Sequence, residues 1–240
     1  ESSMSDIVHY ALFGVFPYIA IATLLVGSLI RFDREQYSWR SGSSQLLRRR
    51  QLIAGSVLFH VGILLLLGGH FVGLLTPTKV YMALGLTPAA KQMAAIVAGG
   101  VFGAMCFAGL TLLLHRRLFD ARIRGTSSGM DIVVLVVLWT QLCLGLATLP
   151  FSLAHSDGSV MLKLSHWAQG IVTLQPDAAG EIRDVGFVYK AHIVLGLFVF
   201  FIFPFSRLVH IWSAPVWYLG RPGWQIVRTR RPTSGVRRPA

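Results

Sequence analysis

Four of the eight histidines stand inside long apolar stretches, His60 and His70 in one, His192 and His210 in another. Ionisable side chains are costly in such surroundings and usually face a bundle interior or a functional site. Neutral imidazole keeps one ring nitrogen free for a metal, and it is a common axial ligand of haem iron that needs no covalent anchor. A single histidine so placed could equally bond a neighbouring helix. Two pairs in two stretches point to something more specific, a metal centre held by one histidine from each stretch.

The elements that carry these residues follow from the apolar pattern. Of 240 residues, 54% are apolar and 13% charged, and soluble domains carry about twice that charge fraction. Crossing a bilayer takes roughly 20 residues of helix. Five blocks are long enough: Ile7–Ile30, Leu52–Leu75, Met93–Leu114, Met130–Phe151 and Val185–Ile211. Asp131 is the only acidic residue in them. The expected fold is an all-α membrane protein, a bundle of five transmembrane helices, with a single haem-binding domain over residues 4–225 and a basic tail over 226–240. The first block is too long for a cleaved signal peptide, and no small-residue cleavage site leads from it into a soluble domain. Glu1, Ser2 and Ser3 precede Met4 and are read as an addition to the natural chain.

Charge sets the expected orientation. Arg31, Arg34, Arg40, Arg48, Arg49 and Arg50 lie between the first two blocks, and Arg116, Arg117, Arg122 and Arg124 between the third and fourth. Arg221, Arg228, Arg230, Arg231, Arg237 and Arg238 follow the fifth. Lys79, Lys91, Lys163, Arg183 and Lys190 are the cations on the other side. The asymmetry places the N-terminus outside and the C-terminus in the cytoplasm. The net charge of +12 is thus mostly a topology signal rather than a nucleic-acid footprint.

With that topology the second and fifth helices run antiparallel. His70 and His192 then lie toward the outside, His60 and His210 toward the cytoplasm, the layout for two bis-histidine haem b groups stacked across one membrane. The spans do not match on straight helices. The 18 residues from His192 to His210 are five whole turns and rise about 27 Å, whereas the ten from His60 to His70 rise about 15 Å and rotate by roughly 80°. Pro204 is expected to kink the fifth helix and absorb part of the difference. Gly62, Gly69, Gly73 and Gly196 lie near the histidines, where they would either admit a macrocycle or serve as ordinary membrane-helix glycines. Arg207, one turn before His210, is read either as the partner of a haem propionate or as a helix-end anchor. His9, His115, His155 and His166 lie at edges or in loops and are read as non-ligands. Lys91 is either a plain interfacial residue or a cation serving the outer haem.

The rest of the chain narrows the chemistry. Cys106 and Cys143 form no CxxC or CxxCH, so they are read as packing residues, and P-loop, GxSxG and HExxH patterns are absent. Gly99 and Gly103 form a weak small-xxx-small pattern. In the long connection Pro150–Asp184, Met161, Leu164, Trp167, Ala168 and Ile171 recur at helical spacing, with Lys163 and Ser165 off the stripe. This predicts a short amphipathic helix on the outer surface over Val160–Leu174. The Trp-, Pro- and Arg-rich tail is read as an interfacial anchor or a docking surface for a cytoplasmic partner.

Several stretches resemble one family. They are Leu58-Phe59-His60-Val61-Gly62-Ile63-Leu64, Gly69-His70-Phe71, Leu75-Thr76-Pro77, Arg116-Arg117-Leu118-Phe119, Trp167-Ala168-Gln169, and the run Phe203-Pro204-Phe205-Ser206-Arg207-Leu208-Val209-His210-Ile211-Trp212. Together they resemble the gamma subunit, or cytochrome b subunit, of membrane-bound respiratory nitrate reductase, from Tyr18 to about Tyr218. The resemblance implies that His70 and His192 ligate a distal haem and His60 and His210 a proximal one. It also implies that Lys91, with Gly69 and His70 beside it, binds quinol (menaquinol or ubiquinol). Electrons would pass to an iron–sulfur beta subunit and a molybdenum-bearing alpha subunit on the cytoplasmic side, which reduce nitrate. Two other readings compete: a related b-type quinol oxidoreductase subunit with another catalytic partner, and a haem-free membrane anchor or transporter.

Overall fold

The structure is a computed structural model that describes residues 2–39, 47–214 and 220. Arg40 and the arginines after Gly220 therefore lie outside the described residues, as does the tail 226–240. Five helices are long and apolar enough to cross a membrane. They are α1 (Met4–Arg34), α2 (Arg49–Leu75), α3 (Pro88–Phe119), α4 (Gly129–Ala154) and the span Phe187–Phe205, whose α-helical part is α5 (Phe187–Ile202). The described residues contain no strand.

Local chemistry explains most helix ends. Thr87 caps α3, accepting from the Ala90 amide, and Pro88 fills the first turn, where a missing N–H costs nothing. Ser128 and Asp131 form a reciprocal capping box at the start of α4. This is why the one acidic residue of the apolar blocks sits where it does. Helix α1 contains two π-helical turns, Ala11–Val15 and Thr23–Gly27. The first runs up to Pro17, whose ring has no N–H to continue an α-helical ladder.

The bundle is built in the order α2–α3–α4–α5–α1, each packed on the next. Contact between α2 and α3 is the most extensive, and glycine makes it possible. A methyl group added at Gly109 would stand 2.3 Å from the Phe59 nitrogen, and one at Gly62 would stand 2.7 Å from Cys106. Cys106 is completely buried there, as a packing residue. The expected Gly99–Gly103 contact is looser, since Gly103 meets the end of the Leu146 side chain.

The last helix departs from expectation. The reading of Val185–Ile211 as one kinked helix is wrong: α5 ends at Ile202. Two 3-10 turns follow, Phe203–Phe205 and Arg207–Ser213, separated by extended backbone at Ser206. Pro204 supplies no N–H, and the freed carbonyls of Pro204 and Ser206 both accept from the Arg31 guanidinium of α1 at 2.7 Å. His192 and His210 therefore do not lie five turns apart on one straight helix. The straight-helix rise of about 27 Å therefore does not apply to this pair.

At the end opposite the arginine-rich loops, helix Ser159–Val172 lies across the bundle. Its apolar face packs on protein, with Trp167, Ala168 and Ile171 in a cluster with Phe13, Ile182 and Tyr189. Ser165, read as off the stripe, is buried and donates to the Gly73 carbonyl. Gln169 donates to the carbonyls of Leu74 and Thr76. These carbonyls end α2 and have no amide of their own helix to bond. Gly158, at φ +87, starts this helix, and a methyl there would strike the Pro88 carbonyl carbon at 2.6 Å.

Candidate functional site: two facing histidine pairs

The four intramembrane histidines face each other in two pairs. The rings of His70 and His192 have centroids 6.1 Å apart, and those of His60 and His210 are 6.3 Å apart. The backbones of α2 and α5 scarcely approach each other, so the rings bridge the interval between them. The His60–His210 pair lies toward the arginine-rich loops and the other pair toward the surface helix.

Hydrogen bonds fix the tautomers. Nδ1 of His60 bonds the Ser56 carbonyl at 2.7 Å, and Nδ1 of His70 bonds that of Leu66 at 2.7 Å. His210 uses the Arg207 carbonyl at 2.6 Å, and His192 reaches across to the Gln141 carbonyl of α4 at 3.2 Å. A carbonyl has no proton to give, so each Nδ1 is the protonated donor and each Nε2 keeps its lone pair. A second-nitrogen bond of this kind orients a metal-ligating histidine.

The pairs fit an axially ligated metal. An imidazole nitrogen binds a metal ion at about 2.0–2.1 Å with its ring centre about 1.1 Å behind, so two collinear ligands put their ring centres about 6.3 Å apart. Both observed separations match. Among the described residues no group of three or more His, Cys, Asp or Glu could hold a bare ion. A bare transition metal asks for about four protein ligands. Iron in a porphyrin already has four ring nitrogens, and each histidine pair could supply the two further ligands.

The other histidines are placed differently. His9 bonds the Ala179 carbonyl, His115 meets the Gln51 amide, and His166 faces Glu181. His155 donates to the Phe151 carbonyl within its own turn. None of these four stacks against another histidine.

Lys91 has its ammonium buried without a hydrogen-bond partner among the described residues, 4.1 Å above the Tyr81 ring. Tyr81, buried on the short helix Thr78–Ala83, was not legible in the sequence as a site residue, because an aromatic in an interhelical loop carries no periodic signal. The register of α2 on α3 runs Phe59 with Gly109 and Gly62 with Cys106. Extrapolated, it sets Lys91 about 10 Å beyond His70 along the bundle, toward the surface helix. A methyl added at Gly68, Gly69 or Gly73 meets nothing within 4 Å, so the sides of α2 that these glycines present are open. Gly62 and Gly196 make no room for a macrocycle. They admit Cys106 and Gln141 respectively.

Arg207 lies 3.5 Å from Asp131, which also faces Arg117 at 3.9 Å. Its charge is therefore compensated within the chain, while its carbonyl holds His210. At the same end Arg48 pairs with Asp120 at 2.6 Å. The Ile123 amide, and then Arg48, hold the Asp120 carboxyl below its ordinary range. Arg34, Arg49, Arg50, Arg122 and Arg124 remain exposed.

Comparison with known proteins agrees with this architecture. The chain is 50% identical over 218 residues to the respiratory nitrate reductase 1 gamma chain of Escherichia coli (strain K12), covering 91% of this chain and 96% of that one. It is 46% identical over 219 residues to the respiratory nitrate reductase 2 gamma chain of the same organism, with 91% and 96% covered. It is 39% identical over 210 residues to the nitrate reductase gamma chain of Bacillus subtilis (strain 168), with 88% and 94% covered. The family pattern of the nitrate reductase gamma subunit matches residues 9–230. Five apolar spans and a match over nearly the whole sequence lead to one conclusion: this multi-pass membrane protein belongs to the nitrate reductase gamma subunit family.

Proposed function

We propose that this chain is the di-haem cytochrome b subunit of its nitrate reductase, oxidising quinol near the outer face and delivering electrons to cytoplasmic partners. The observation that carries the proposal is the pair of facing imidazoles at each end, spaced so that one iron could be held between them, with each Nδ1 engaged by a carbonyl. His70 and His192 would hold the distal haem, His60 and His210 the proximal one. When bound, the two haems would supply one-electron carriers in series, converting a two-electron donor into single-electron delivery.

The remaining work belongs to the chain. Lys91 carries its ammonium into a buried position with no acceptor to occupy it, so a quinol oxygen becomes its hydrogen-bond partner and the negative charge left by deprotonation is stabilised there. The Tyr81 ring holds the ammonium in place without neutralising it. Gly69 leaves α2 bare beside His70, a passage for a lipid-soluble head group. Protons leave by the short route to the outer surface. At the cytoplasmic end Arg207 fixes His210 through its carbonyl. The exposed arginines of that end would face the iron–sulfur and molybdenum subunits, since nothing in the sequence offers the thiolates an iron–sulfur cluster needs.

A pyridine haemochrome assay on the purified complex tests this directly. Two haem b per gamma chain are expected, and one or none overturns the pairing. His60→Ala and His210→Ala should deplete one redox component, His70→Ala and His192→Ala the other. Depletion of the same component by His60→Ala and His192→Ala would refute the assignment.

A further inference from the structure

His192 differs from the other three paired histidines. They bond carbonyls of their own turn, whereas its Nδ1 donates to the Gln141 carbonyl on α4 at 3.2 Å. Contact between these two residues is reciprocal. The Gln141 side-chain amide donates back to the His192 carbonyl at 3.0 Å. Each residue thus uses its side chain on the backbone of the other.

Two glycines make the exchange possible, each four residues after its partner. Gly145 follows Gln141 by one turn on α4, and a methyl there would stand 3.0 Å from His192 Cε1. Gly196 follows His192 by one turn on α5, and a methyl there would stand 3.0 Å from Gln141 Nε2. The imidazole therefore lies over the bare backbone of α4, and the amide over the bare backbone of α5. Such a contact is tighter than side chains ordinarily make, so neither glycine can gain a Cβ without displacing the group above it.

We infer that Gln141 and Gly145 are positioning residues for His192, and that the ring plane of the His70–His192 pair is set from α4. The inference rests on the reading of that pair as haem ligands. Its consequence is an asymmetry between the two sites. The His60–His210 pair is oriented by α2 and by the turn after α5, and α4 gives it no backbone acceptor. Changes at Gln141, Gly145 or Gly196 should therefore act on one site and spare the other.

The test uses the intact complex carrying Gly145→Ala, Gly196→Ala or Gln141→Leu, read by redox titration and low-temperature electron paramagnetic resonance. Loss of a group that orients a metal-ligating histidine typically weakens retention on the order of 10- to 100-fold. Gly145→Ala should produce that loss in the outer component, because it strikes the ring itself. Gly196→Ala and Gln141→Leu disturb only the amide, so they should keep the outer haem but shift its potential and its resonance positions. The inner component should stay native in amount and line shape, reporting that the bundle has folded. Native outer signals in all three variants would overturn the inference. So would equal loss of both components in all three, because the contact would then serve helix packing alone. Preserved signals in His70→Ala or His192→Ala would instead defeat the underlying assignment of ligands, which keeps the two failures distinct.

Discussion

Substituting Gly109 with alanine should damage one histidine pair and leave the other standing. The added methyl would lie 2.3 Å from the Phe59 nitrogen, 2.8 Å from the Gly55 carbonyl oxygen and 2.9 Å from the Leu58 carbonyl carbon. All three are backbone atoms and cannot rotate away. Restoring an ordinary contact requires α2 to retreat by about 1 Å at this level, because packed interiors hold no slack to absorb it. His60 is the next residue, so its ring would draw back from His210. Their 6.3 Å separation would then approach 7 Å, too wide for one shared metal. Overpacking of this kind costs about 1–3 kcal/mol, or about 5- to 150-fold in retention of the inner haem. His70 lies about 15 Å further along α2 and should be little affected. Gly103→Ala is the control, since its methyl would meet only the flexible end of Leu146. Haem-stained redox titration of membranes holding the complex reads both components separately. Native inner haem in Gly109→Ala, or equal damage in Gly103→Ala, would refute the reasoning.

Four further outcomes can be measured. Arg31→Met removes two charged donors from the Pro204 and Ser206 carbonyls, each worth about 1.5–3 kcal/mol, so the thermal midpoint should fall and the inner component shift; an unchanged melt would contradict the role given to Arg31. Lys91→Ala should keep both haems yet slow their reduction by quinol at least tenfold, roughly the 1.4 kcal/mol of one good hydrogen bond, while an artificial donor to the cytoplasmic subunits still drives nitrate reduction. Tyr81→Leu should raise KM for quinol and Tyr81→Phe should not, because the ring alone meets the ammonium; equal kinetics in the two variants would remove Tyr81 from the site. A periplasm-dependent reporter fused after Ala240 should be inactive, and activity there would reverse the topology read from the arginines.

The pairing of the histidines was legible because it rests on periodicity and charge alone. Five apolar blocks set the direction of each helix, and direction decides which histidines share a level. Helix boundaries were read short at Pro88 and Gly129 because Thr87 and Ser128 cap polar turns that precede the apolar run. The break after Ile202 was hidden for the opposite reason. The Phe-Pro-Phe run is as apolar as the helix before it, and the group that satisfies its freed carbonyls, Arg31, comes from the far end of the sequence. Glycines gave the poorest return. Gly62 and Gly196 read either as clearance for a cofactor or as ordinary membrane-helix glycines, and they admit Cys106 and Gln141. Where a glycine does admit a neighbour, only the packed structure says which one. Tyr81 and Gln141 carried no sequence signal, since a loop aromatic and a lone membrane glutamine both have ordinary uses.

The two ring pairs also dictate an order of biogenesis. Each joins the second span to the last, so α2 enters the membrane with both of its imidazoles unmatched. They stay so while α3 and α4 are inserted. The helix Ser159–Val172, which closes the carbonyl end of α2, is itself made only after α4. The His70–His192 pair cannot close until α5 has left the ribosome, nor the His60–His210 pair until the turn bearing His210 has, by which time α3 can already be packed on α2 and α4 on α3. Any group held between the rings would thus be received late, by a nearly finished bundle.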